Sequence, residues 1–221
     1  MMNPIRSLFL GMIGCVALLF SGPEGLAIEA TLTDDVAIDL TAGTPRKPNG
    51  ASPLLPLKAS SHAIFLQFDL ASVLPPKIEG KEFKATLRLF LSRVDRPGKI
   101  RVATFGQPVT WNEDSATANL AAHTMFTQAV ISAKPATRAK SFLDIDVTPL
   151  LPYLGAGMPP LTLVVTGAGD TTVSFDSKEN TATSHPAFLQ ISVAPDVSST
   201  QEGEIPNPSV TNPPVVIPVS R

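Results

Sequence analysis

Asp144 and Asp146 stand two residues apart in Phe142-Leu143-Asp144-Ile145-Asp146-Val147, a stretch that alternates polar and apolar residues. On an extended strand both carboxylates project from one face. Facing acids are the apparatus of glycoside cleavage, which needs one raised pKa and a separation of roughly 5 to 10 Å. The plainer reading of charge on an alternating strand is a solvated face. Glu113 and Asp114, just after Trp111, form a second acidic pair and read as a loop. Asp34, Asp35, Asp170 and Asp176 are oxygen donors of the kind calcium takes, in sets of six to eight from several loops. Asp170 and Asp176 are the candidate ligands of a structural calcium, although no spacing in the chain demands one. A sugar platform needs ring faces, and the chain has one Trp, one Tyr and eleven Phe. The Phe residues fall largely on core-facing positions, which leaves Trp111 and Tyr153 as candidate glycan-stacking residues. Trp111 has an equally ordinary reading as a buried core or lid residue.

Other chemistries lack their residues. His62, His123 and His185 are far apart and follow no zinc spacing. Gly155-Ala156-Gly157 and Gly167-Ala168-Gly169 lack the later glycine of a dinucleotide loop, and no Gly-x-Ser-x-Gly elbow occurs. The reading is a non-enzyme. The net charge of −2 offers no counterion-displacing surface for nucleic acid.

The elements that position these residues are short and alternating. Ile64, Leu66, Phe68 and Leu70 share one face against Gln67 and Asp69. Leu87, Leu89 and Leu91 oppose Thr86 and Arg88. Ile100 and Val102, then Leu143, Ile145 and Val147, then Leu161, Leu163 and Val165 repeat the pattern, followed by Val173 and Phe175, and Leu189, Ile191 and Val193. Period-two segments separated by Gly, Pro, Asn and Ser clusters predict an all-β, jelly-roll-type antiparallel β-sandwich with at most one short helix. That helix is expected over Val147–Leu154, with Thr148 as cap and Pro149 in the first turn. Leu120–Ala133, rich in Ala, reads as loop or short strand.

The ends differ from the middle. Arg6 followed by the apolar run Leu8–Phe20 reads as a signal peptide, with cleavage expected after Ala27. The rival is a lipobox ending at Cys15, weakened by the apolar residues that follow it. Residues 196–221 hold five prolines and no aromatic, the composition of an extended or disordered tail. The organisation expected is therefore a signal peptide over 1–27, a domain over 28–195 and a tail over 196–221. Charged residues make up 16% of the chain, below the roughly 25% usual in soluble domains, which suits a secreted or cell-envelope protein. Once the signal is cleaved, no transmembrane helix is expected. Cys15 is the lone cysteine, so the domain has no disulfide.

Taken in order, several of these segments resemble the DNRLRE domain family, carbohydrate-binding-module-like β-sandwiches of secreted proteins. The matching residues are Asn49-Gly50, Phe68-Asp69-Leu70, Ala85-x-Leu87-Arg88-Leu89, Val109-Thr110-Trp111, Asp146-Val147-Thr148, Ser177-Lys178-Glu179, and Pro186 with Phe188-Leu189. The last spacing is one residue wider than the tightest family pattern. Phe90 and Tyr153 stand where members carry an aromatic pair and a Trp. The resemblance spans about 28–195 and implies a secreted, non-catalytic module that binds a polysaccharide or cell-surface glycan, without a cofactor. It also implies a structural ion pair between Arg88 and Glu179, which occupy family-like positions. The rival function is a structural or adhesive module without a sugar ligand, with the tail as its connector, and a glycan-cleaving enzyme stands third. Exposure of Trp111 and Tyr153 beside a groove would favour binding, and their burial would favour scaffolding.

Overall fold

The computed structural model describes residues 26–41, 50–59, 61–71, 74, 81–105, 109, 111–113, 127–151 and 160–195, the side chains of 127–133 excepted. Ten strands run in chain order through them. They are β1 (Leu26–Asp39), β2 (Leu54–Lys58), β3 (His62–Asp69), β4 (Phe83–Arg96) and β5 (Gly98–Phe105), then β6 (Thr127–Ala136), β7 (Ser141–Asp146), β8 (Leu161–Ala168), β9 (Thr172–Asp176) and β10 (Phe188–Val193). All pairings are antiparallel. The expected strands are therefore present, β6 takes up the end of the stretch left open between loop and short strand, and β1 and β2 are added to them.

Two sheets result, and β1 belongs to both. Its first residues, Leu26–Ala30, pair with Val193–Leu189 of β10, while Thr31–Asp39 pair with Asp69–His62 of β3. A bulge between Leu32 and Asp34 marks the passage, as bulges do where a strand bends from one sheet to another. The front sheet holds the start of β1, β10, β4 and β7, with β9 and β2 alongside; the back sheet runs from the rest of β1 through β3, β8 and β5 to β6. Leu87, Leu89, Phe175, Leu189 and Ile191 from the front pack against Leu66, Phe68, Ile100, Leu163 and Val165 from the back, and all are buried. Removing this apolar area from water is the main force that closes the sandwich.

The two sheets are not buried alike. β4, β7 and β10 alternate buried and exposed positions, so the front sheet keeps a solvated outer face. Every residue of β3 from Ala63 to Phe68 is buried. The back sheet is covered on both sides because Val109 and Trp111, in the segment after β5, lie on its outer face against Val36, Ala63, Phe65 and Val164.

Among the described residues the one short helix is a 3₁₀ turn, Thr148–Leu150, with Pro149 in its first turn. Thr148 does not cap it. Its hydroxyl instead accepts the Ala85 amide proton at 2.9 Å and ties the turn to β4. The expected helical residues 152–154 lie outside the described residues. β1 starts at Leu26, so a cut after Ala27 leaves Ile28–Ala30 to pair with β10.

Candidate functional site

Outward positions on the front sheet come into rows set by strand register. Phe90 of β4 stands opposite Phe142 of β7, and Arg88 stands between Asp144 of β7 and Phe188 of β10. The next row reads Glu29, Gln190, Thr86 and Asp146 across β1, β10, β4 and β7. Rings gather at one end. Phe142 meets Phe90 edge to face at 5.1 Å, and the His185 imidazole lies flat on Phe90 at 4.0 Å. Phe142 is 46% exposed, the one aromatic ring among the large apolar side chains that stand open to water in the described residues. A single exposed apolar residue is ordinary; its grouping with Phe90, His185 and Arg88 sets this one apart.

Charge borders the rings. Arg88 donates to both Asp144 oxygens, at 2.7 and 3.1 Å, and its guanidinium lies 5.4 Å from the Phe142 centroid. Hydrogen bonds from Arg88 hold the Asp144 carboxyl below the usual carboxylate range. Bonds from the Thr148 hydroxyl and amide do the same for Asp146. These two acids therefore share a face as expected, but both favour the ionised form and neither is tuned to give up a proton to a leaving group. Beside Arg88 a groove of about 340 Å³ runs over β1, β10 and β4, lined by Glu29, Thr86, Phe188 and Gln190 among others. A smaller depression of about 220 Å³ continues it past Glu29 and Phe188 towards Leu32 and Pro186. An open groove with hydrogen-bonding side chains along its floor, and a ring cluster next to its Arg88 wall, fits an extended chain rather than an enclosed small molecule.

The model of carbohydrate-binding module family 96 matches residues 32–191, from β1 into β10. The chain belongs to carbohydrate-binding module family 96. The match spans both sheets and bears out the carbohydrate-binding-module kind read from the sequence motifs. No curated protein matches the chain.

Within this family 96 module, several motif residues converge away from the groove. Asp35, fully buried, accepts the Ser177 hydroxyl and the Lys178 amide, each at 2.7 Å. Its own amide donates to Glu113 at 2.9 Å, and the Lys178 ammonium reaches Glu113 at 3.1 Å. Gly50 lies so close that an added Cβ would stand 2.5 Å from the Glu113 Cβ, which explains a glycine there. Burial pushes the Asp35 carboxyl from 3.8 to about 6, against the opposing bonds from Lys178 and Ser177. Burial alone would lower the Lys178 ammonium, but Glu179 and Glu113 outweigh it and hold it above its ordinary value. This latch joins β1, the Trp111 segment and the loop after β9.

The expected site residues fare differently. Trp111 is 5% exposed, meets Phe65 edge to face at 6.2 Å and donates its indole N–H to Thr162 at 3.0 Å. It is a lid on the back sheet, and no ring face is open to a sugar. Tyr153 lies outside the described residues. The expected Arg88–Glu179 pair does not form, because strand register sets Arg88 against Asp144 while Glu179 takes Lys178. Arg88 stands on the outer face with its side chain 47% exposed. Asp170 is exposed in the turn before β9 and Asp176 is buried at its far end, roughly 20 Å away at about 3.3 Å per residue. Among the described residues no group of three or more metal-ligating side chains comes together. The ring cluster was missed, although Phe142 shares its alternation with Asp144 and Asp146, a polar face on which a phenyl is out of place.

Proposed function

We propose that this chain is a secreted, non-catalytic module that binds a polysaccharide or cell-surface glycan along the outer face of its front sheet. Family membership carries the carbohydrate-binding part. The observation that carries the location is the exposed Phe142 ring beside Arg88, which itself lines the groove. Phenyl faces pack against the C–H faces of sugar rings, and Arg88, Thr86, Glu29 and Gln190 supply donors and acceptors for hydroxyls. Export by a signal peptide over 1–27 and an extended tail over 196–221 belong to the same reading. They fit a module that carries its ligand site outside the cytosol. No helix among the described residues is long and apolar enough to cross a membrane.

Affinity electrophoresis in gels containing barley β-glucan, birchwood xylan or polygalacturonate tests this reading. At least one polymer should retard the wild-type protein, and Phe142→Ala should abolish most of the retardation. Retardation by no polymer, or retardation indifferent to Phe142→Ala, contradicts it. A second reading, a structural or adhesive module without a sugar ligand, is favoured by the burial of Trp111, the chain's single tryptophan.

A further inference from the structure

Two residues other than glycine have left-handed backbone among the described residues, and both flank the ring cluster. Lys140, with φ 57°, precedes Phe142 by two residues, and Ser184, with φ 54°, immediately precedes His185. Such conformations persist only where their surroundings impose them, and they gather at functional sites. Here the Ser184 amide donates to the Asn180 carbonyl at 2.9 Å, while the Asn180 side chain accepts the amides of Ala182 and Thr183. The loop is thus bound to itself, and it delivers the imidazole onto Phe90.

Beneath the ring lies a carboxylate that the glycan reading leaves unused. Asp176 is buried and accepts the hydroxyls of Ser92 and Thr183. Its Oδ2 lies 3.5 Å from Nδ1 of His185, an atom shut away from water that makes no hydrogen bond. The side chain of His185 is nevertheless 36% exposed, and with Nδ1 shut away the open part lies elsewhere on the ring. In a neutral imidazole, a carboxylate facing one ring nitrogen favours the proton there and leaves the other nitrogen as an acceptor.

We propose that His185 supplies the directional polar contact of the glycan platform, its Nε2 accepting a hydroxyl of the sugar stacked on Phe142, with Asp176 as the positioning residue. This rests on the glycan reading of the front face. It adds what a phenyl surface lacks, a lone acceptor whose direction is fixed before the ligand arrives.

Affinity electrophoresis with the polymer that retards the wild type, together with ¹⁵N spectra of the imidazole, tests the proposal. His185→Phe keeps a ring on Phe90 and should lose at least fivefold in retardation. His185→Gln, which can place an acceptor near the Nε2 position, should retain more binding than His185→Ala. The spectra should report the proton on Nδ1 in the wild type and a mixture in Asp176→Asn, which should also bind more weakly. Thermal unfolding of each variant separates lost binding from lost fold. Wild-type retardation unchanged by His185→Phe overturns the role of His185 alone, as does a proton found on Nε2. Absence of retardation by every polymer overturns the platform reading and this role with it.

Discussion

The outer face of the back sheet and the outer face of the front sheet start from the same antiparallel pattern and end in opposite states. On the back, Val109 and Trp111 cover Phe65, and the Asp35–Ser177–Lys178–Glu113 latch joins the segments around them. On the front, Phe142 and Arg88 stay in solvent, and a groove runs between them and Glu29. The residues that look most chemical, a tryptophan, a buried acid of raised pKa and a lysine held by two glutamates, all belong to the closed side. Burial perturbs pKa values wherever it occurs, so a shifted group marks a desolvated place before it marks an active one. The open side instead offers shape and ring faces, and its acids Asp144 and Asp146 are held below the usual carboxylate range.

If the back face is structural, its lid should dominate stability. Trp111→Ala removes a buried indole and leaves Phe65 uncovered, and should lower the unfolding free energy by about 4 kcal/mol. Urea unfolding checks this, and glycan retention well below the midpoint should be unchanged. The latch gives the next effect, through pH. The unfolded chain releases the Asp35 proton near 3.8 and the folded one near 6, so between these values the folded state holds more protons. Stability contributed by this group therefore falls as pH rises, by about 3 kcal/mol in all, with the loss complete above roughly pH 7. Asp35→Asn should lack that segment, which the difference between the two urea-derived pH profiles isolates.

The front face should respond the other way round. Phe142→Ala should change stability by less than about 1 kcal/mol, since the ring is half in water, yet reduce glycan retention about tenfold. Smallest is the surface ion pair. Arg88→Met should cost no more than about 1 kcal/mol in unfolding free energy, because exposed pairs are screened and entropically opposed. An effect of several kcal/mol there would mean that Arg88 belongs to the interior after all, and would erase the contrast between the faces.

Most strands are legible because their apolar residues recur at every second position. β1 is hidden by Thr31, Thr33, Asp34 and Asp35, where the bulge breaks the period and Asp35 turns into the latch while Thr33 and Asp34 bond Gln67. β2 carries Pro56, and β6 is Ala-rich and carries Pro135, both outside ordinary strand composition. The closed side leaves its residue types in the sequence, since a latch needs a particular acid, hydroxyl and glycine at fixed places. Their partners do not follow from types alone. Arg88 against Asp144 is a matter of cross-strand register over 56 residues of separation, which no local pattern encodes. Phe142 was readable in principle, as a phenyl on the polar face of an alternating strand. Whether Trp111 lies over or beside the sheet depends on how its segment folds back, and that is a tertiary fact.

The most direct test is an amide ¹H–¹⁵N titration with oligosaccharides of the polymer that retards the protein. Shift changes should gather on Thr86, Arg88, Phe90, Phe142, His185, Phe188 and Gln190, and leave Asp35, Trp111 and Lys178 unmoved. Changes centred on Trp111 and the latch, with the front sheet silent, would contradict the assignment of the ligand to the open face.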